Sequence, residues 1–161
     1  MKKYFLFFGA AALLAVLLMS SDYYYGSYTP VFMDRSELEK SVSYVAEGRD
    51  LQNPGKIYYK SPYILVNEKY KGVHIIDNSD PKNPRNTGYI IAPGCLDMAV
   101  KGDVLYLDNS VDLVAFDLNT RQVTERIKNI FPEPISPEKI YYMNGKRPTQ
   151  NSVIVGWKKR D

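Results

Sequence analysis

From residue 54 to residue 127 the apolar positions fall in short runs of β-branched and aromatic residues, each broken off by Pro, Gly, Asn or Asp. Runs of that length between turn residues predict strands, here at 56–60, 63–68, 73–77, 87–91, 96–101, 104–108, 113–117 and 122–127. Within Ile64-Leu65-Val66 and Val73-His74-Ile75-Ile76 the apolar side chains occupy successive positions, so both faces of such a sheet require cover. Upstream the period changes. Leu38, Val42 and Val45 recur at helical spacing behind Asp34 or Ser36 as cap, with Glu37 or Glu39 three residues on; this predicts a helix over 34–46, ended by Gly48. Residues 22–30, rich in Tyr, Ser and Gly, show no period and read as a tether, and a last strand is expected at 152–157.

The strand pattern repeats. Laying 57–77 over 98–117 superposes Lys60 on Lys101, the turn Ser61-Pro62 on Gly102-Asp103, and Ile64-Leu65-Val66-Asn67 on Leu105-Tyr106-Leu107-Asp108. It also places Val73-His74-Ile75-Ile76-Asp77 on Leu113-Val114-Ala115-Phe116-Asp117, the offset of 41 residues falling to 40 after one deletion near Gly72. A period near 40 with four strands per unit is that of a β-propeller blade. Ile140-Tyr141-Tyr142 follows Ile57-Tyr58-Tyr59 at 83 residues, about twice the period, and marks a degenerate third unit. The expected fold class is therefore mainly β: two tandem four-stranded antiparallel propeller-like blades, in a partial propeller or two-sheet packing, with one short N-terminal helix and an N-terminal signal helix. The expected divisions are a signal segment at 1–21, tether and helix at 22–53, two blades at 54–131 and a capping extension at 132–161.

These residues carry a family resemblance. Gly72-Val73-His74-Ile75-Ile76-Asp77-Asn78-Ser79-Asp80-Pro81 with Pro84, then Pro93-Gly94-Cys95-Leu96-Asp97-Met98-Ala99-Val100 with Gly102, resemble the bacterial repeat family named for its LVIVD motif. Asp112-Leu113-Val114-Ala115-Phe116-Asp117 is similar to the same motif in a second copy that lacks the Ser-Asp-Pro turn. The resemblance spans about 55–127. It implies a β-propeller-like protein of the bacterial envelope engaged in surface binding or adhesion, with no shared catalytic residues. A closed propeller needs about four blades, so two recognisable copies leave open edges and an apolar face to be capped. The helix, the C-terminal strand and a second copy of the chain are the candidates.

Lys2-Lys3, the apolar run 4–19 and Ser20-Ser21-Asp22 form the positive, apolar and polar regions of an export signal. Sixteen helical residues span about 24 Å against a hydrocarbon core of about 30 Å, which favours cleavage over a retained anchor. Ser21 stands where a lipoprotein would carry its lipidated cysteine, so no lipid anchor is expected by that route. Without Lys2 and Lys3 the chain has nineteen basic and eighteen acidic residues, too even a balance to suggest nucleic acid as a partner. The exported compartment is expected to be the periplasm, outer-membrane surface or extracellular space. Cys95 is the only cysteine, so no intrachain disulfide can form and packing must supply the stability.

Candidate chemistry is sparse. The single histidine, His74, excludes a metal site with two imidazoles from one chain, and its alignment with Val114 reads it as a strand residue rather than the partner of a Cys95 nucleophile. Asp77 and Asp117 occupy equivalent strand ends, where aspartate bonds turn amides, and the oxygen-rich Asp77-Asn78-Ser79-Asp80 reads as a turn rather than a calcium site. Asp97 with Asp108 or Asp112 is an acid/base pair only if folding brings them together. No cofactor is expected. In a meander the second-to-third strand loops and the inter-unit loop share one end, which gathers Lys69, Tyr70, Lys71, Cys95, Asn109 and Ser110 into a candidate contact rim. The expected function is that of a non-catalytic module binding protein or glycan at the envelope; an assembly subunit pairing through open sheet edges is the alternative, and a hydrolase the less favoured third.

Overall fold

Turn residues reverse the chain wherever the apolar runs stop, and the runs between them pair with their sequence neighbours. The computed structural model describes residues 26–139 and 147–160. The export segment and Ile140-Tyr141-Tyr142 lie outside the described residues. Within them the elements run β1 (Tyr28–Asp34), α1 (Arg35–Leu38), β2 (Ser43–Val45), β3 (Pro54–Lys60), β4 (Tyr63–Glu68), β5 (Gly72–Asp77) and β6 (Arg85–Ile91). They continue with β7 (Met98–Lys101), β8 (Val104–Asn109), β9 (Asp112–Asp117), β10 (Gln122–Ile127) and β11 (Ser152–Lys159). The protein is mainly β. Strands β3 to β6 form one antiparallel meander widened by β2 at the β6 edge, β7 to β10 form a second meander, and β1 pairs with β11. None of these sheets closes on itself among the described residues.

The two meanders share one register. Tyr63 faces Asp77 and Ile64 faces Ile76 in the first, while Val104 faces Asp117 and Leu105 faces Phe116 in the second. The single-residue deletion falls in the β4–β5 and β8–β9 turns, where Tyr70 and Ser110 take equivalent positive φ angles of 66° and 59°. The sequence offset is thus a structural duplication of strand order and register.

Each sheet has two distinct faces, and they are used asymmetrically. The front of the first sheet carries Leu65, Val73, Ile75 and Ile90; the back carries Ile57, Tyr59, Ile64, Val66, His74 and Ile76. The core joins the front of the first sheet to Met98, Val100, Leu105, Leu107, Val114 and Phe116 of the second. By the repeat offset these six are the counterparts of the first sheet's back positions. The packing is therefore front to back, as between successive units of a stack. Tyr44 and Val42 close the margin of this core from β2.

The helix expected over 34–46 is reduced to one turn. Asp34 caps it as anticipated, accepting the Ser36 amide at 3.0 Å, but Ser41 Oγ donates to the Leu38 carbonyl at 2.8 Å and the chain leaves the helix. Ser43, Tyr44 and Val45 then add to the β6 edge, facing Ile91, Ile90 and Tyr89. Tertiary demand for an edge strand with β-forming residues overrides a helical spacing that rested on three apolar positions. Gly48, expected to end that helix, instead passes so close to the Asn86 carbonyl that a Cβ would overlap it. The tether at 22–30 is also corrected: Tyr28 to Pro30 belong to β1, paired with Lys159, Lys158 and Trp157. Strand β7 begins at Met98 because the Leu96 and Asp97 amides both donate to Asp108 Oδ1 at 2.8 Å, which holds a turn there.

The expected C-terminal strand forms, and its partner explains how the ends close. Asp34 faces Ser152, Met33 faces Val153 and Phe32 faces Ile154, the same relation that Asp77 and Asp117 have to their neighbours. The three aspartates also cap alike. Asp34 Oδ1 takes the Ser36 amide and hydroxyl, Asp77 Oδ1 those of Ser79, and Asp117 Oδ1 the Asn119 amide with the Thr120 amide and hydroxyl. Strands β1 and β11 therefore form a third antiparallel pair, drawn from distant parts of the chain, with the aspartate cap of the β4–β5 and β8–β9 pairs. Its apolar side, Met33, Val153 and Val155, packs with Leu38 and Val111 in a second small core.

One buried ion cluster fastens that third pair to the second sheet. Asp112, wholly buried, accepts Nη2 of Arg35 and Nη1 of Arg126, each at 2.8 Å, and the Asn129 amide at 3.0 Å. Burial alone would raise its carboxyl; the bonds from Arg35, Asn129 and Arg126 outweigh that and hold it below the usual carboxylate range. Breaking a buried pair by removing one partner costs roughly 3–5 kcal/mol because the remaining charges are stranded. Asp112→Ala is accordingly expected to lower unfolding free energy by about that amount in urea titration. A loss below about 1 kcal/mol, the worth of an exposed pair, would show that the cluster does not hold the ends.

Candidate functional site

The front of the second sheet is the surface that the duplication leaves without a packed meander. Ala99 on β7, Tyr106 on β8 and Leu113 on β9 alternate with the core residues and point away from the first sheet. They floor a cleft of about 670 Å³ whose opposite wall is residues 131–135. That wall is Phe131-Pro132-Glu133-Pro134-Ile135, a run in which the two prolines offer no amide to a neighbouring strand. It crosses the sheet without pairing to it, and the cleft stays open.

The wall is fixed at three points. The Phe131 amide donates to the Val111 carbonyl at 3.0 Å, and Trp157 Nε1 donates to the Pro134 carbonyl at 3.0 Å. Between them Glu133 takes both Nη atoms of Arg147, at 2.8 and 2.6 Å, and the Ile154 amide at 3.1 Å. The Arg147 bonds, then the Ile154 amide, keep the Glu133 carboxyl below its usual range against the pull of burial. Arg147 also donates to the Ser152 carbonyl at 2.8 Å, so this ion pair satisfies two backbone groups on one edge of β11. Side chains there serve the role of a neighbouring strand.

The cleft is largely apolar on its floor and wall; Lys56 and Asp97 form an ion pair at 2.6 Å at its lip, and Glu133 stands in the wall paired with Arg147. Asp108 lies in the lining as well. Burial raises its carboxyl above the usual range even though the Asp97 and Leu96 amides oppose this, and its Oδ1 is committed to those amides. Folding brings Asp97 and Asp108 to one turn but places Asp112 in the arginine cluster, so the three carboxylates have separate tasks. Among the described residues no three His, Cys, Asp or Glu side chains converge as a metal ion requires.

The rim residues do meet at one end, and three of them are buried there. The Tyr70 amide donates to the Cys95 carbonyl at 2.7 Å and the Gly94 amide to the Tyr70 carbonyl at 3.0 Å. A Cβ on Gly94, whose φ is 83°, would overlap Ser110. Cys95, Asn109 and Ser110 are enclosed by this seam, and Ser110 Oγ donates to the Ile154 carbonyl at 2.6 Å. Lys69 and Lys71 remain exposed, with Tyr70 half-buried against Gly156.

His74 and Cys95 lie apart. His74 is on the back of the first sheet, with Nε2 at 3.2 Å from Glu68 Oε2 and Nδ1 at 3.2 Å from Asn86 Nδ2. Asn86 Nδ2 also donates to the Arg49 carbonyl at 2.7 Å, which fixes the amide orientation. His74 then accepts at Nδ1 and donates from Nε2 to the carboxylate. The Cys95 sulfur sits 3.2 Å from Asn67 Nδ2, and burial pushes the thiol up, away from the thiolate a nucleophile requires. Residues 46–53 strap over this part of the back face, giving Glu68 the Gln52 and Asn53 amides at 3.1 and 2.7 Å and laying Arg49 over the Tyr89 ring. A polar hollow of about 450 Å³ remains beneath the strap.

No family model, curated protein or solved structure matches this chain. No described helix is long and apolar enough to cross a membrane.

The polar cluster has a measurable sign. Burial raises the Glu68 carboxyl, but the Gln52 and Asn53 amides, His74 and Lys71 outweigh it and leave the value lowered. A carboxyl depressed in the folded state stabilises above its unfolded pKa and loses that contribution as pH falls through the folded value. Stability should therefore decline from about pH 5 toward about pH 3, and Glu68→Gln should flatten that decline while lowering stability at neutral pH. Urea titrations across this range check both; parallel wild-type and variant pH curves would assign the acid sensitivity elsewhere.

Proposed function

We propose that the chain is an exported, non-catalytic β-repeat module of the bacterial envelope, of the LVIVD type, which binds an apolar segment of a protein in the cleft on its second sheet. The repeat units are read as propeller-like blades, two of them complete and a third begun by the chain ends. One observation carries the binding reading: a 670 Å³ cleft with an apolar floor and wall, held by fixed bonds at Phe131, Glu133 and Pro134. Preformed apolar hollows with a few charged groups at the rim are the usual form of a binding site.

Three features favour protein over glycan as the ligand. The floor residues Tyr106 and Leu113 are the repeat counterparts of Leu65 and Val73, first-sheet front positions that already pack against another sheet. The charged side chains of the lining, Lys56, Asp97, Asp108 and Glu133, are engaged with one another, with Arg147 or with backbone. Pro132 and Pro134 remove two backbone donors from the wall that sugar hydroxyls could otherwise use. The non-catalytic reading draws on Cys95, His74, Glu68 and Asp108, whose polar atoms are spent on internal partners.

A photo-crosslinking amino acid at Tyr106 of the exported chain tests this directly, with one at Thr124, an exposed position away from the cleft, as control. The expected outcome is a protein adduct from position 106, none from 124, and loss of the 106 adduct when Ala99→Trp fills the floor. Equal adducts at both positions, or adducts unaffected by Ala99→Trp, would contradict the reading.

A further inference from the structure

We infer that a hollow between the two sheets, at the end away from the Cys95 seam, is a second binding site, for a small carboxylate-bearing ligand that Arg121 receives. The hollow measures about 390 Å³ and opens between the front of the first sheet and the turns of the second, whereas the cleft lies on the outer side of the second sheet. Leu65 and Ile75 give it an apolar floor, and Tyr44 and Tyr63 line it with aromatic rings.

Three charged side chains reach this hollow, and two of them cancel. Lys60 Nζ lies 2.8 Å from Asp103 Oδ1, and Asn119 donates to the same carboxylate. Arg121 is left over. Arg35, Arg85, Arg126 and Arg147 each pair with a carboxylate, whereas Arg121 has no such partner among the described residues. The uncompensated charge of the hollow is therefore a guanidinium, the group whose forked donors match a carboxylate.

The guanidinium is held in place from two directions. It lies 4.5 Å over the Tyr44 ring, and that ring rests against Gly88, where a Cβ would come within 2.7 Å of the tyrosine hydroxyl. Its own backbone takes a φ of 59°, a region that favours glycine, and the bond from its amide to the Asp117 carbonyl at 2.8 Å fixes it there. A long charged side chain kept at a strained position beside a hollow is the kind of outlier that gathers at ligand sites. The rest of the lining suits a polar body of about monosaccharide size. Thr87 Oγ1 donates to the Ile75 carbonyl at 3.3 Å and keeps its lone pairs for a ligand hydroxyl, with Ser61 and the two tyrosines close by. A sugar acid meets all of these groups; a peptide terminus would meet Arg121 alone.

Amide chemical shifts of the purified exported chain, titrated with sodium glucuronate, with N-acetyl-alanine and with glucose, test the site. Glucuronate is expected to move the amides of Thr87 and of residues 119–121, and glucose at equal concentration to leave them in place. Arg121→Gln should weaken glucuronate binding roughly tenfold or more, as loss of a charged hydrogen-bond partner does. Arg121→Gly separates binding from folding: glycine suits the positive φ, so the urea midpoint should hold or rise while binding falls by the same factor. N-acetyl-alanine reports the source of the carboxylate; Arg121-dependent binding tighter than that of glucuronate assigns it to a peptide terminus, and weaker binding to a sugar acid. Shifts of equal size from glucose, an Arg121→Gln chain that binds like wild type, or no shift from either acid at millimolar concentration overturns the inference. Protein adducts from position 106 depend on none of these results, so the cleft reading stands or falls separately.

Discussion

Contact between the front of the first sheet and the back of the second is the constraint on which the rest of the structure depends. Leu65, Val73 and Ile90 meet Leu105, Leu107, Val114 and Phe116 with almost no exposure of any of them. Among the described residues neither sheet has a helix layer to cover it, and an isolated meander with one wet and one apolar face is a weak unit. Each sheet is therefore the other's core. The front-to-back sense of the contact follows from the duplication, because a repeated unit presents the same two faces in every copy and neighbours join unlike ones. From that sense come the two outer surfaces, the back of the first sheet at Ile57 and Tyr59 and the floor of the cleft.

The pairing of β1 with β11 follows the same idiom. Strands β1 and β11 reproduce the register of β5 with β4 and of β9 with β8 over three residue pairs, up to a bulge between Val31 and Phe32, and carry the same aspartate that caps the following turn. Asp112 then ties Arg35, just after β1, to Arg126 on β10. Burying a charge here costs solvation, and the cluster offsets that cost by giving the carboxylate several donors at once. The Glu133–Arg147 pair works along the same line at β11, supplying side-chain partners to backbone groups on the strand edge.

Much of this was legible in the order of residues, for identifiable reasons. The strands between Pro54 and Ile127 are legible because Pro, Gly, Asn or Asp stands in or beside each reversal, and the offset of 41 residues aligns Ile64 with Leu105 in true structural register. The helix was overextended because Leu38, Val42 and Val45 satisfy helical spacing, while the decisive fact, a vacant β6 edge ready for Tyr44 and Val45, is not local. Strand β1 escaped notice because Val31-Phe32-Met33-Asp34 is a short copy of the repeat motif detached from its partner by the whole length of the chain. Meander geometry alone brings the turns of Tyr70, Cys95 and Ser110 to one end, but the strand that covers them there, with Ile154 and Gly156, lies too far along the chain to be read locally. The cleft wall left only one clue, the alternation of apolar residues with Pro132 and Pro134, which marks an extended segment without saying what it faces.

Hydrogen exchange followed by mass spectrometry on wild type and Phe116→Ala tests the shared core most directly. Removing a buried phenylalanine costs roughly 3–5 kcal/mol, and if each sheet is the other's core that loss must appear equally in amides of β4 and β5 and of β8 and β9. Protection lost in β8 and β9 while β4 and β5 keep their wild-type exchange would show two sheets that fold independently, and would contradict the account.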